Sequence, residues 1–457
     1  MTSTHDTIYP PVHRLPPEII SKIFLTCLAS LNSSLVNIPR CSIRCPPLSI
    51  SFVCQSWRTL ALQIPQLWAA LAIGHEYGMF DADRVQEWMA RSYGCPFSLE
   101  LTFHSALIDQ QKDVIPMIAT NVSRWKALRL RVPGMTSETE RLIQLSTDAV
   151  PQLEEFRLEL YNPGSFNRRE FEDSLFHQIS VLCLQGSQFS LQLNGQRPYN
   201  LQHVFIRALE GAEAFLAIIG NCPYLEVLEC VITSNGVEYV PPPAVLTCTT
   251  MHTLKISTDH DNIGHLLDAL HLPSLETLSM VRRGPEFPTL SAHLRGMVER
   301  SHPPLRELGI WGYILAKDAI QILRLVPGLK SLGGDVIFFD SDFAVVKLMA
   351  PSAPRQRPLC LKIERFSVRH LPDGAYRKLA WMLSSRWDRA IPQNSQTAAN
   401  FASPNDRAVS PPLQFVILGD ADNAETFSRV LGVSRCVGKG MKITTQSPDS
   451  LLFHPSF

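Results

Sequence analysis

The sequence predicts an α/β chain in which a short helical N-terminal segment leads into a long run of alternating strands and helices. Three observations carry that expectation. Apolar residues fall at helical spacing between Leu15 and Leu28. Phe97, Leu99, Leu101 and Phe103 alternate with the period of a strand. A six-residue pattern, L-x-x-L-x-ϕ with ϕ apolar, then recurs along the chain at a near-regular interval.

Residues 1–13 are polar and read as a flexible arm. Leu15-Pro16-Pro17-Glu18 opens the first helix, with prolines in the first turn, where a missing backbone N–H costs little. Ile19, Ile20, Ile23, Phe24, Cys27 and Leu28 follow on it. A Ser, Asn, Pro and Cys-rich connection runs from Ala29 to Leu48. A second helix is expected to begin near Pro47 to Ser49 and to carry Ile50, Val53, Trp57, Leu60 and Ala61, until Pro65 interrupts it. Leu67-Trp68 starts a further turn. A third helix fits Asp81 to Ser92, with Val85, Trp88 and Met89 inward and Gly94 ending it.

The recurring pattern begins at Trp125 and Leu153. Five further copies start at Leu225, Met251, Leu275, Leu305 and Leu329, spaced 26, 24, 30 and 24 residues apart. Leucine-rich repeats have a period of about 20–29 residues. Stacked parallel strands of that kind share one apolar interior. An ordinary α/β domain with leucine-rich strands would share the composition but not the spacing. The expected division is an N-terminal helical domain at 14–72, a linking helix at 73–96 and an irregular leucine-rich-repeat solenoid at 97–390. A disordered loop at 391–412, rich in Gln, Asn, Ser, Ala and Pro, and a strand or cap segment at 413–457 complete it.

Bulk properties narrow the function. The chain has 457 residues, 45% of them hydrophobic, enough for a large core. Lys plus Arg and Asp plus Glu number 42 each, so no basic excess argues for nucleic acid. No stretch approaches the roughly 20 apolar residues of a membrane span, and the first residues do not read as a secretory signal. An intracellular protein, cytoplasmic and/or nuclear, is expected, without nucleic-acid or membrane partners. The 11 cysteines are dispersed and read as reduced thiols.

Motifs for chemistry are absent. Gly438-Lys439-Gly440 lacks the spacing and hydroxyl of a phosphate loop, His75-Glu76 is not followed by a second histidine at metalloprotease spacing, and no G-x-S-x-G elbow exists. Cys41 and Cys45, with Cys54 and His13 nearby, do not supply a zinc template. His260 and His265 among Asp259, Asp261 and Asp268 match no ligand spacing and read as a solvated turn. No catalytic residue, metal or cofactor is expected.

The N-terminal motif set is more specific. Leu15-Pro16-Pro17-Glu18-Ile19-Ile20 with Ile23-Phe24, Val53-Cys54-Gln55-Ser56-Trp57-Arg58 with Leu60-Ala61, and Pro65-Gln66-Leu67-Trp68 resemble the F-box, in the F-box-like form abundant in mushroom-forming fungi. Trp88 to Ser92 and Cys95 to Leu99 resemble the segment that commonly follows it there. The resemblance implies a three-helix F-box-like segment ahead of leucine-rich repeats, in a non-catalytic substrate-receptor subunit of a cullin-RING ubiquitin ligase of the SCF type. It implies docking on a Skp-type adaptor and through it a cullin. Leu15, Pro16, Ile19, Ile20, Ile23, Val53, Trp57 and Leu60 are the expected adaptor contacts. The repeats would bind a protein substrate, with Glu226, Thr253, Glu276 and Glu307 as weak candidates. A repeat scaffold acting outside any ligase is the alternative.

Overall fold

The computed structural model describes residues 15–29, 38, 44–74, 82–102, 109–133, 140, 142–143, 152–161, 169–171, 176–186, 189–191, 193, 197–233, 244–258, 263–282, 290–312, 314–334, 344–349, 359–368, 375–390, 414–418, 425, 427–438 and 441–446. The expected arm at 1–13 and loop at 391–412 lie outside them. The chain divides into two compact units: Met1–Arg168 with Glu172–Ser187 and Ser456–Phe457, and Arg169–Phe171 with Gln188–Pro455.

The first unit begins with helices α1 (Pro17–Ala29), α2 (Leu48–Ser51) and α3 (Gln55–Leu62) and a 3-10 turn at Pro65–Trp68. Strand β1 (Ala70–Gly74) follows, then α4 (Ala82–Arg91), β2 (Phe97–Thr102), α5 (Asp109–Ala119), β3 (Trp125–Val132), β4 (Glu155–Leu160) and β5 (Val181–Gln185). Each strand lies parallel beside the one before it. Their registers align two apolar ladders, Leu71–Leu99–Leu128–Phe156–Leu182 and Ile73–Leu101–Leu130–Leu158–Leu184. All ten side chains are buried, as alternation on a pleated strand dictates. Gly94, at φ +73°, follows α4 in the left-handed region that a helix end favours.

The second unit holds β6 (His203–Glu210), α6 (Ala212–Asn221), β7 (Val227–Thr233), β8 (Thr253–Thr258), α7 (Ile263–Asp268), β9 (Thr277–Arg282), α8 (Leu290–Ser301), β10 (Glu307–Trp311) and α9 (Ala316–Leu325). It continues through β11 (Ser331–Gly334), α10 (Ala344–Met349), β12 (Arg365–Val368), α11 (Ala375–Ala390), β13 (Gln414–Leu418), α12 (Leu431–Gly438) and β14 (Lys442–Gln446). These strands are again parallel to their neighbours in chain order. Val204, Leu228, Leu254, Leu278, Leu308, Leu332 and Phe366 share one register row and are all buried. Arg169–Phe171 pairs with Phe189–Leu191, and Leu246–Thr247 with Leu270–His271.

The α/β class expected from the sequence holds, but the architecture assigned to it is corrected. The described residues form mostly parallel sheet with interleaved helices, not an N-terminal three-helix F-box-like segment followed by an irregular leucine-rich-repeat solenoid. The N-terminal helices do not stand apart, because β1 starts within the expected helical segment and pairs with β2 from Ala70↔Ser98 to Gly74↔Thr102. The connections between strands also differ in kind: α11 has 16 residues, α7 has 6, and some connections carry a short strand that pairs with one from another connection. The physical reason is that the L-x-x-L-x-ϕ pattern specifies which strand face is buried. Any parallel sheet covered by helices makes that demand.

Candidate docking surface

The site lies in the first unit. Pro16 starts it: its carbonyl accepts hydrogen bonds from the N–H groups of Ile19 (3.0 Å) and Ile20 (3.2 Å), closing the first turn of α1. From there α1 divides by face. Phe24 is buried at 1% exposure and Ile20 at 9%, whereas Leu15, Ile19 and Ile23 are 38%, 42% and 43% exposed. A helix this apolar on its outer side has a stripe that its own unit does not cover.

The expected second helix is interrupted. The N–H of Phe52 reaches the carbonyl of Leu48, ending α2, and Cys54 is extended at φ −161° before α3 begins. The turn between them lifts Phe52 and Val53 into solvent at 60% and 59% exposure. The Arg58 guanidinium lies over the Phe52 ring, 5.6 Å from its centroid, and donates from Nε to the Ser51 carbonyl at 3.0 Å. Leu62 closes α3, also exposed.

Trp57 faces the other way. Its ring meets Phe24 with centroids 4.9 Å apart, and its Nε1 is buried with no hydrogen-bond partner among the described residues. An open cavity of about 650 Å³ lies beside it, with Leu15, Pro17, Ile20, Trp57, Leu60 and Gln63 in its walls. A buried indole N–H ordinarily finds an acceptor, and this one has none among the described residues. Behind it, Trp68 donates from Nε1 to the Ala61 carbonyl at 2.9 Å, and Trp88 to the Ala70 carbonyl at 3.1 Å. The two rings meet edge to face at 4.9 Å. These tryptophans fix α3 and α4 against β1.

Cys54 sits at the start of α3. Its thiol is held below the ordinary value first by the Ser56 hydroxyl, 3.1 Å away, and then by the Trp57 backbone.

Of the eight expected contacts, Leu15, Ile20, Trp57 and Leu60 share the cavity, and burial sorts the whole set. Leu15, Pro16, Ile19, Ile23 and Val53 are exposed, Trp57 and Leu60 are half-buried, and Ile20 is buried against the cavity. The sequence reading missed Phe52 and Leu62. Their signal was weak, because a continuous helix through Val53 gives Phe52 no distinct role.

The weaker substrate candidates lie in the second unit, at or just before strand starts. Glu226 stands 3.6 Å from the Nε2 atoms of both His203 and His252, and Glu276 is 3.5 Å from Arg306. Thr253 and Glu307 share a register row through Thr277.

One charged cluster lies on the opposite face of the first unit's sheet from the apolar ladders. Glu155, buried at 2% exposure, accepts from the Nε atoms of Arg129 (2.7 Å) and Arg157, with Glu100 3.8 Å from Arg129. The Arg129–Glu155 pair ties β3 to β4, and Arg157 meets the same carboxylate from within β4. Of the cysteines weighed as zinc ligands, Cys45 and Cys54 are described, whereas Cys41 and His13 are not. No described helix is long and apolar enough to cross a membrane. The chain matches no protein-family model, and no curated protein matches it.

Proposed function

We propose that the chain is a substrate receptor of a cullin-RING ubiquitin ligase that docks on a Skp-type adaptor through α1 and the α2–α3 turn. The observation that carries this reading is the exposed apolar set Leu15, Ile19, Ile23, Phe52 and Val53. It supports docking because fully burying each such side chain contributes about 1.5–3 kcal/mol. Four of the five, Leu15, Ile19, Ile23 and Val53, also belong to the residues on which the F-box resemblance rests. Half-buried Trp57, which lines the cavity, is the anchor.

In this role the chain performs no transfer. It holds a protein substrate near a ubiquitin-charged enzyme, and tethering raises the effective concentration of the reacting groups. The substrate is assigned to the strand-bearing region beyond the N-terminal helices. The protein then works inside the cell, in the cytoplasm, the nucleus or both.

The test is adaptor binding by the full chain carrying Ile19→Asp with Ile23→Asp. Removing the N-terminal segment instead is not a clean test, because β1 within it covers the edge of β2. Loss of binding by the folded variant is the expected result. Unchanged binding would turn the reading toward a protein-interaction scaffold working outside a ligase.

A further inference from the structure

We propose that His265, Asp268 and His293 form a binding site for one divalent transition-metal ion of the zinc class. It is independent of the docking surface. Asp268 Oδ2 lies 2.6 Å from His293 Nδ1 and 3.9 Å from His265 Nδ1, and the two imidazole centroids are 5.2 Å apart. One ligand atom from each residue falls within 4.8 Å of the others. Zinc binds imidazole nitrogen and carboxylate oxygen at about 2.0–2.2 Å, which places tetrahedral ligands about 3.3 Å from one another. The observed separations straddle that value, so small side-chain rotations complete the arrangement.

The backbone sets this up. His265 and Asp268 are three residues apart on α7 and therefore share a face. His293 comes from α8. Its ring lies directly on Gly264, where an added Cβ would stand 2.3 Å from His293 Cδ2. Glycine is thus required for the ring to sit where it does. Arg300 fixes the two helices together by donating to the carbonyls of Leu267 (2.9 Å) and Leu270 (2.8 Å).

The donor set chooses the ion. Two imidazoles and one carboxylate suit zinc, nickel or copper, whereas magnesium and calcium need more oxygen ligands. His265 and Asp268 are 51% and 46% exposed, leaving the remaining coordination positions to water. The sequence did not reveal the set because the third ligand arrives from the next helix, 25 residues beyond Asp268.

The experiment is calorimetric titration of the full chain with zinc chloride at about pH 7.5, where free imidazole is mostly neutral. Visible absorption with cobalt(II) as the probe accompanies it. One saturable ion per chain is expected, with a tetrahedral cobalt band that a chelator removes. His265→Ala, Asp268→Asn and His293→Ala should each weaken binding about tenfold or more, and Gly264→Ala should do so by displacing the His293 ring. Circular dichroism checks that each variant is folded. The absence of saturable binding overturns the proposal, as does binding that survives in all three ligand variants. Either result would leave Asp268–His293 as an interhelical hydrogen bond.

Discussion

Phe24 and Trp57 meet with ring centroids 4.9 Å apart and planes inclined at 58°. That contact joins α1 to α3 and decides which apolar side chains of the N-terminal segment hold the fold. The apolar side chains left exposed include Leu15, Ile19 and Ile23 on α1, and Phe52 and Val53 on the turn.

Phe24→Ala and Ile19→Asp should therefore separate. Phe24 is 1% exposed, and its truncation should destabilise the first unit by about 3–5 kcal/mol. Ile19→Asp at an exposed position should change stability by no more than about 0.5 kcal/mol while weakening adaptor binding. Urea unfolding midpoints and a binding titration on the same two variants check this. Equal loss of stability in both would contradict the assigned faces.

Glu155→Ala removes the carboxylate shared by Arg129 and Arg157. Breaking a buried pair by deleting one partner costs about 3–5 kcal/mol, because the guanidinium charge loses its compensation. Glu159→Ala, whose pair with Arg131 at 2.9 Å is 37% and 45% exposed, should cost about 1 kcal/mol or less. Denaturant unfolding of the two variants gives the comparison.

Cys54 should be the most readily alkylated of the described cysteines at neutral pH. Its lowered thiol pKa increases the thiolate fraction, and the thiolate is the nucleophile. Ser56→Ala removes the leading cause of that shift and should slow labelling by iodoacetamide. Bound adaptor should protect the residue. Mass mapping after a short pulse measures both effects, and labelling indifferent to Ser56 would contradict the assignment.

The buried thiols predict alkaline sensitivity. Burial pushes Cys222 up from 9.0 to about 12 and Cys360 to about 11, although the Arg386 guanidinium opposes the shift at Cys360. Burial also raises Cys230. Above pH 9 the unfolded chain releases these protons while the folded chain keeps them. Stability present below that pH should be lost progressively as pH rises through 11 and 12. Unfolding midpoints from pH 8 to 11 test this, and Cys222→Ala should flatten part of the fall. A pH-independent midpoint would contradict it.

Much of the strand set was legible because alternation writes buried faces directly into sequence. Leu225, Leu228 and Cys230 mark one copy of the pattern, and the last two lie buried within β7. Helix α1 was legible from its apolar spacing. The architecture was not, since the same alternation serves any parallel sheet covered by helices, and β1 at Ala70–Gly74 carried no copy of the pattern. The break at Phe52–Cys54 was also hidden. Those residues fit a helical spacing that the fold does not use. Ile20 was grouped with Ile19 and Ile23 because proximity in sequence does not say which side of α1 the unit covers. His293 and Glu155 acquire their partners only through the helix and strand pairing.

The most direct test of the central claim is co-purification of the full chain with a fungal Skp-type adaptor, beside the Ile19→Asp, Ile23→Asp variant. The account predicts a stoichiometric complex with the unaltered chain and its loss in the folded variant. No complex with a folded, unaltered chain would contradict it.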